Sequence, residues 1–155
     1  MPAANSPDQP HAARRRWMSV LARADATDIS RRLGACAELP RYRMLRGPEA
    51  GLVMVRGRIG GGGSAFNLGE MTATRCTVRT DDGLVGHAYV AGRDERLAEV
   101  AALADALLQD PRRQPDILHD VIEPLAADQQ AKRNAVAAKA AATRVQFFAM
   151  RNMRT

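Results

Sequence analysis

The N-terminal part of the chain carries apolar residues at the spacing of amphipathic helices. One stripe starts near Arg14, and a second follows Thr27 or Asp28, either of which can cap a helix that ends before Pro40. The pattern predicts two short helices. Their apolar faces comprise Trp17, Val20, Leu21 and Ala24 in the first helix and Ile29, Leu33, Cys36 and Ala37 in the second.

The middle of the chain changes to short apolar or alternating runs, which are typical of strands. Gly47-Pro48 and Gly51 interrupt the first run, so we predict strands at 41–46 and 51–59. Alternation predicts a third strand at about 70–80, with one face made of Thr72, Thr74, Cys76 and Val78. A turn at Asp82-Gly83 then leads into a fourth strand, LVGHAYV, which completes an antiparallel sheet of about four strands.

Helical periodicity returns after Gly92. Asp94 can cap a helix that ends at Asp110-Pro111, and its apolar face consists of Leu97, Val100, Ala101, Ala104, Leu107 and Leu108. One short helical turn is expected around 117–122, and a long Ala-rich helix at 126–149. The fold class is therefore α+β, with a disordered leader at 1–12, a single domain at 13–150 and a tail at 151–155.

The Ala-rich helix contains a seam of small residues that repeats at alternating steps of four and three. Such a seam permits close approach of another helix or an elongated surface. It predicts either docking on a partner or an intramolecular packing face, and it consists of Ala131, Ala135, Ala138, Ala142, Val145 and Ala149.

The charge of the chain is concentrated at its N-terminus. Residues 1–46 hold nine arginines against four acidic residues, whereas the rest holds 14 basic against 13 acidic residues. A basic nucleic-acid-binding module is therefore an alternative, although aromatic residues make up only 4% of the chain. Cys36 and Cys76 lack metal-ligand spacing, so no metal site is expected, and the chain lacks an apolar signal or membrane span. A cytoplasmic location is the simplest expectation.

The glycine-rich stretch RIGGGGSAFNLGEMTATR is the most unusual motif. Gly60-x-Gly62-x-x-Ala65 imitates a dinucleotide fingerprint, but strand-like residues follow it where a helix N-terminus is needed, and no Lys-Ser/Thr pair completes a P-loop. A flexible hairpin connection is the plain interpretation. If the flanking strands pair, Arg58 and Arg75 could bracket the loop and receive an oxyanion or a partner's carboxylate.

No catalytic constellation can be assembled from the sequence. His87 on a strand beside Tyr89 is typical of a hydrogen-bonded, half-buried histidine, and His11 and His119 are equally uninformative. Nucleophile, base and carboxylate arrangements are recognised by geometry and not by sequence alone. Catalytic residues therefore remain unknown at this level.

An ordered series of motifs carries a resemblance to a known family. The series is RRRWMSVLARA, GLVMVRGRIGGGGSAFNLGEMTATRCTVR, LVGHAYVAGRDERLAEVAALADALLQ and TRVQFFAMR. It resembles the PhnG family, the small G subunits of the bacterial carbon-phosphorus lyase core complex, over about residues 14–150. The glycine loop through Arg75 and the Gly92-Arg93-Asp94 helix start are the most distinctive parts.

The resemblance implies a non-autonomous subunit in organophosphonate catabolism. It implies assembly with H, I and J subunits and an associated L protein, and assistance in replacing the adenine of ATP with methylphosphonate. ATP would be a substrate of the complex, and the iron-sulfur and S-adenosylmethionine chemistry would belong to the J subunit. This chain alone would bind no cofactor.

The family resemblance transfers no established catalytic residue to this chain. We therefore hypothesise an interface with the I subunit near its nucleotide-handling region, because a glycine-rich loop is costly to order and is flanked here by charge. The hypothesis names Arg58, Gly60, Gly61, Gly62, Gly63, Glu70, Thr74 and Arg75. An independent phosphate-ester enzyme is a further alternative.

Overall fold

A computed structural model of the chain describes residues 9–36, 38–58 and 63–144. It confirms the predicted α+β class, with an N-terminal helical pair, an antiparallel sheet and a long C-terminal helix. The elements in chain order are α1 (Gln9–Leu21), α2 (Ala26–Cys36), β1 (Tyr42–Gly57), β2 (Phe66–Thr80), β3 (Val85–Ala91), α3 (Glu95–Leu107), α4 (Gln114–Ile117), a π-helical turn (Leu118–Ile122) and α5 (Glu123–Ala142).

The two N-terminal helices are confirmed, but their starts differ from the predicted ones. Helix α1 begins at Gln9, so residues 9–12 of the predicted leader are helical, while residues 1–8 lie outside the described residues. Helix α2 is capped by Asp25, whose Oδ1 accepts hydrogen bonds from the backbone N–H groups of Thr27 (2.9 Å) and Asp28 (3.1 Å). The prediction of Thr27 or Asp28 as the cap is wrong, because the preceding carboxylate already reaches both free donors.

The sheet has three strands in the described part of the chain, in the order β1-β2-β3, and both pairs are antiparallel. The two strands predicted at 41–46 and 51–59 are one continuous strand, β1. Gly47-Pro48 lies within a register shift between Arg46 and Glu49, and does not turn the chain. Because β1 is an edge strand, a bulge can accommodate a proline that has no N–H to donate.

The predicted turn at Asp82-Gly83 is confirmed. The N–H of Thr80 donates to the carbonyl of Leu84 (2.9 Å), and Gly83 adopts a positive φ of 86° that suits glycine. This turn connects β2 to β3 and places the face of β2 that contains Thr74, Cys76 and Val78 against the helices. Cys76 and Val78 are fully buried there.

Helix α3 is the centre of the hydrophobic core. Asp94 caps it as predicted, since its Oδ1 accepts a hydrogen bond from the N–H of Leu97 (2.8 Å). The helix packs on β2 and β3 with one side and on α1 and α2 with another, so most of its circumference is buried. Its many alanines allow these close approaches and explain how a chain with few aromatic residues builds a core.

A buried carboxylate links α3 to α1 and β3. Asp105 is fully buried and accepts hydrogen bonds from Arg14 Nη2 (2.7 Å), Trp17 Nε1 (2.9 Å) and the backbone N–H of His87 (2.9 Å). Arg14 Nε donates to the same carboxylate at 3.1 Å. This network fixes the first helix against the hairpin of β2 and β3, because a buried carboxylate needs all of these donors.

The C-terminal helices form one nearly continuous helical segment from Gln114 to Ala142. The short turn predicted at 117–122 is the π-helical turn, and Pro124 follows it without ending the helix. The N–H of Glu123 bonds to the carbonyl of Leu118, which is the π pattern next to a proline that lacks an N–H. The predicted helix at 126–149 therefore starts earlier, at Glu123, and ends at Ala142, and residues 145–149 lie outside the described part.

Candidate functional site: an exposed hairpin arm

The β1-β2 hairpin extends beyond the body of the protein. Strand β3 pairs with β2 only from Ala73 to Arg79, whereas β1 continues to pair with β2 as far as Gly57 and Phe66. Residues 51–57 and 66–72 therefore form a two-stranded ribbon, which we call the arm. Two-stranded ribbons are marginally stable in water on their own, so the arm depends on the body or on a partner.

The arm exposes many large apolar side chains. Leu52 and Met54 pair with Thr72 and Glu70, so they share one face with Phe66 and Leu68, which alternate in step with Glu70 along β2. Met71 lies on the other face, where it pairs with half-buried Val53. Five of the eleven exposed large hydrophobic residues in the described chain lie on this short ribbon, a density that singles it out from the rest of the surface: Leu52, Met54, Phe66, Leu68 and Met71.

The tip of the arm carries the described part of the glycine-rich loop. Gly63 has a positive φ of 109°, and Arg56 Nη2 donates to the carbonyl of Ala65 (3.2 Å), which closes the base of the loop. Arg58 is exposed beside it. Gly60, Gly61 and Gly62 lie outside the described residues, so the structure places only Gly63 of the four predicted glycines.

Arg58 and Arg75 do not bracket the loop as the sequence suggested. Arg75 pairs with Glu49 on the body and donates to its carboxylate through Nε (3.3 Å) and Nη2 (3.2 Å). Arg75 lies nine positions after Phe66 along β2, which is about 30 Å at the rise of an extended strand. The prediction of a shared oxyanion site between these arginines is wrong. Glu70, by contrast, is exposed on the arm opposite Met54.

Thr74 lies inside the protein and not on the predicted interface. Its side chain is fully buried, and Oγ1 donates to the carbonyl of Gly92 at 2.7 Å. Gly92 has a positive φ of 86° and donates to the carbonyl of Thr72 (2.9 Å). Thr74 therefore fixes the connection that leads from β3 to the Asp94 cap, which gives the distinctive Gly92-Arg93-Asp94 segment a structural role.

The outward face of the sheet is not covered by any helix among the described residues. It contains a shallow depression of about 140 Å³ lined by Glu49, Gly51, Val53, Arg75 and Tyr89. The side chain of His87 is exposed on this face, with Nδ1 3.1 Å from Thr77 Oγ1. His87 is thus hydrogen-bonded as expected, but its side chain is exposed and not half-buried.

The predicted helix seam faces solvent. Every described side chain from Gln130 to Arg144 is exposed, including Ala131, Ala135, Ala138 and Ala142, while Val145 and Ala149 lie outside the described residues. No part of the chain that the structure describes packs on these four alanines. Helix α5 is held to the body only by its first turns, through buried Leu125 and a hydrogen bond from Gln129 Nε2 to the carbonyl of Val20 (2.9 Å).

The remaining candidate features of the described residues are metal ligands, thiols and long apolar helices. No three His, Cys, Asp or Glu side chains come together there in a way that could hold a metal ion. Burial raises the pKa of the Cys76 thiol, and the negative charge of Glu99 raises it further, so this thiol stays protonated near neutral pH. No helix within the described ranges is both long and apolar enough to cross a bilayer.

Several arginines that suggested nucleic-acid binding are engaged within the protein. Arg14 bonds to buried Asp105, and Arg31 and Arg32 both pair with Asp28 on α2. A surface that binds phosphates needs arginines whose guanidinium groups are free to neutralise them. The structure therefore weakens the alternative of a nucleic-acid-binding module.

Tyr42 provides a titratable reporter at the base of the hairpin. Burial raises its pKa to about 12, and the hydrogen bond from its hydroxyl to Glu99 (2.7 Å) adds to the effect. The unfolded chain releases this proton near pH 10.0, so the folded state binds more protons above that pH. The contribution of Tyr42 to the free energy of unfolding is therefore fully present below pH 10 and is lost as the pH rises from about 10 to 12.

We expect the Tyr42→Phe variant to lose less stability than the wild type over this alkaline range. Urea denaturation at a series of pH values measures the free energy of unfolding of both proteins. The difference between the two values should be constant below about pH 9. Parallel curves for the two proteins throughout would contradict the assignment.

The arm was not predicted from the sequence, because a turn placed at Gly47-Pro48 divided β1 into two short strands. The signal was present in LVMV and FNLGEM, which place apolar residues on both faces of their strands. Counting residues outward from the glycine-rich loop would also have shown that Arg58 and Arg75 lie at unequal distances from it. Arg56, which closes the loop, was overlooked for the same reason.

Comparisons with known proteins identify the family of the chain. A protein-family model described as "Phosphonate metabolism protein PhnG" matches residues 12–152. A protein of Rhizobium meliloti (strain 1021), described as alpha-D-ribose 1-methylphosphonate 5-triphosphate synthase subunit PhnG, is 46% identical over 150 residues, which cover 96% of this chain and 94% of the relative. The chain therefore belongs to the PhnG family of phosphonate metabolism and is a subunit of a multi-subunit enzyme complex.

Proposed function

We propose that this chain is a non-autonomous subunit that assists transfer of the ribose 5-triphosphate moiety of ATP to methylphosphonate, with release of adenine. The observation that carries the proposal is the extended similarity to a synthase subunit over nearly the whole chain. The exposed apolar arm supports it, because a protein that works alone rarely leaves such a ribbon uncovered.

The chain supplies surfaces to its companions and leaves the reacting groups to them. We propose the H, I and J subunits and the L protein of the carbon-phosphorus lyase complex as these companions, in the cytoplasm. ATP is then a substrate of the assembly, and the iron-sulfur and S-adenosylmethionine chemistry lies in the J subunit. Within this chain, Arg58 and Glu70 remain candidates for contacts with the I subunit, because both side chains are exposed on or beside the arm.

Reconstitution tests this proposal. The complex assembled with this chain should release adenine from ATP and methylphosphonate, the complex without it should lose that activity, and added chain should restore it. Adenine is quantified by chromatography, with ATP alone as the control for hydrolysis. Multiple turnovers by the purified chain alone, or full activity of the complex without it, would overturn the proposal.

A further inference from the structure

The arm has apolar side chains on both faces but no core of its own. Its cross-strand pairs place Leu52 and Met54 on one face and Val53, Val55 and Met71 on the other. Together the exposed apolar groups form a surface on the order of several hundred Å², the size at which such patches mark interaction sites. A partner that covers only one face would leave the other in water.

We propose that the arm inserts into an apolar cleft of another subunit of the same complex, which covers both faces of the ribbon. This inference rests on the proposed function, since it needs companion subunits, and it adds the surface and its mode of binding. Arg58 is exposed at the end that enters first, so the cleft carries a carboxylate near its closed end.

The edge of the ribbon strengthens the case for an enclosing partner. In the described sheet, β1 is an edge strand along its whole length of 16 residues, and its outer N–H and C=O groups have no partner strand. Long edge strands with apolar side chains invite further strand pairing. A cleft wall that supplies an extended segment would satisfy these groups while the apolar side chains are buried.

A second copy of this chain fits the arm less well than a different subunit does. Two copies related by a two-fold axis would present the same patch to each other and would meet through one face or one edge of the ribbon. The opposite face, with exposed Met71 and half-buried Val53 and Val55, would remain in water. The presence of apolar residues on both faces therefore favours a cleft in a different chain.

Glutamate substitutions on each face test the cleft. Leu52→Glu and Met71→Glu each introduce one charge on opposite faces. Leu39→Glu, in the connection between α2 and β1, is the matched control, because Leu39 is 43% exposed and Met71 is 40% exposed. Each variant is co-expressed with the other subunits of the complex, one of which carries the affinity tag. Circular dichroism and the melting temperature of each isolated variant establish that it folds.

We expect each arm variant to be retained on the tagged complex about tenfold less than the wild type, since an unpaired charge in a closed interface is costly. The control should be retained like the wild type. If both arm variants are retained on the tagged complex as well as the wild type, the inference is overturned while the proposed function is left intact. Loss with only one of them would also overturn the cleft, because the ribbon would then lie flat on a surface.

Two further outcomes separate the remaining possibilities. An isolated chain that forms a dimer, which Leu52→Glu dissolves while its incorporation into the complex is unchanged, would assign the arm to a second copy and overturn the inference. A wild-type chain that is itself not retained by the tagged complex would overturn the proposed function and the inference together.

Discussion

Replacing Gly86 by alanine is expected to destabilise the isolated chain by about 3 kcal/mol, near the upper end for overpacked cores. Gly86 lies on β3 where the strand meets α3. A Cβ at this position would overlap the backbone of α3 at Ala102 and would stand 2.5 Å from the N atom of Ala106 and 2.8 Å from its Cβ. The backbone cannot move aside as a flexible side chain can, so the helix must separate from the sheet.

Gly51→Ala is the matched control for this substitution. Gly51 also lies in a strand, and nothing stands within 4 Å of the position its Cβ would occupy. Its replacement should change the free energy of unfolding by no more than about 1 kcal/mol, and in the stabilising direction. Urea denaturation of both variants measures the contrast. Equal stability of the Gly86→Ala variant and the wild type would show that α3 does not lie this close to β3.

Removing the carboxylate of Asp105 is expected to destabilise the protein by about 3 to 5 kcal/mol. In Asp105→Ala the indole N–H of Trp17 and the backbone N–H of His87 lose their acceptor inside the protein. Arg14, whose side chain is partly buried, loses its partner at the same time. Such unpaired donors are costly because water cannot reach them to replace the lost bonds.

Asp82→Ala removes a comparable ion pair from the surface. Asp82 accepts a hydrogen bond from Arg113 at 2.8 Å, almost the length of the Arg14 to Asp105 contact, but its side chain is 45% exposed. We expect a loss of no more than about 1 kcal/mol, because exposed pairs are solvated in both states. Guanidinium denaturation, followed by the fluorescence of Trp17, compares the free energies of unfolding of Asp105→Ala and Asp82→Ala. Similar losses in both variants would show that burial does not set the strength of the Asp105 network.

The sequence could predict local features that depend on neighbouring residues. Asp94 was identified as a cap and Asp82-Gly83 as a turn, because each signal lies within a few residues of the structure that it specifies. Strict alternation grouped Thr74, Cys76 and Val78 on one face of β2, and the structure shows that this face is buried. The Ala-rich C-terminal helix was also predicted from local sequence. The π-helical turn shows that Pro124, near the start of this helix, does not interrupt it.

Features that depend on distant parts of the chain could not be predicted in this way. Arg14 and Asp105 are 91 residues apart, and nothing in either segment signals that they meet. The close approach of Gly86 to α3 likewise appears only once the sheet and helix are packed. Thr74 was assigned to an interface because it follows a glycine-rich loop that is costly to order and flanked by charge, yet its side chain points inward and bonds to Gly92.

Hydrogen–deuterium exchange on the complete complex tests most directly whether the arm is completed by a companion. The isolated chain should exchange rapidly at 51–57 and 66–72 and slowly in α3, because the arm has no core while the helix is buried. On assembly, exchange across the arm should slow about tenfold or more, and α3 should change little. Arm amides that exchange equally fast in the isolated chain and in the assembled complex would contradict the proposal that a companion encloses this ribbon.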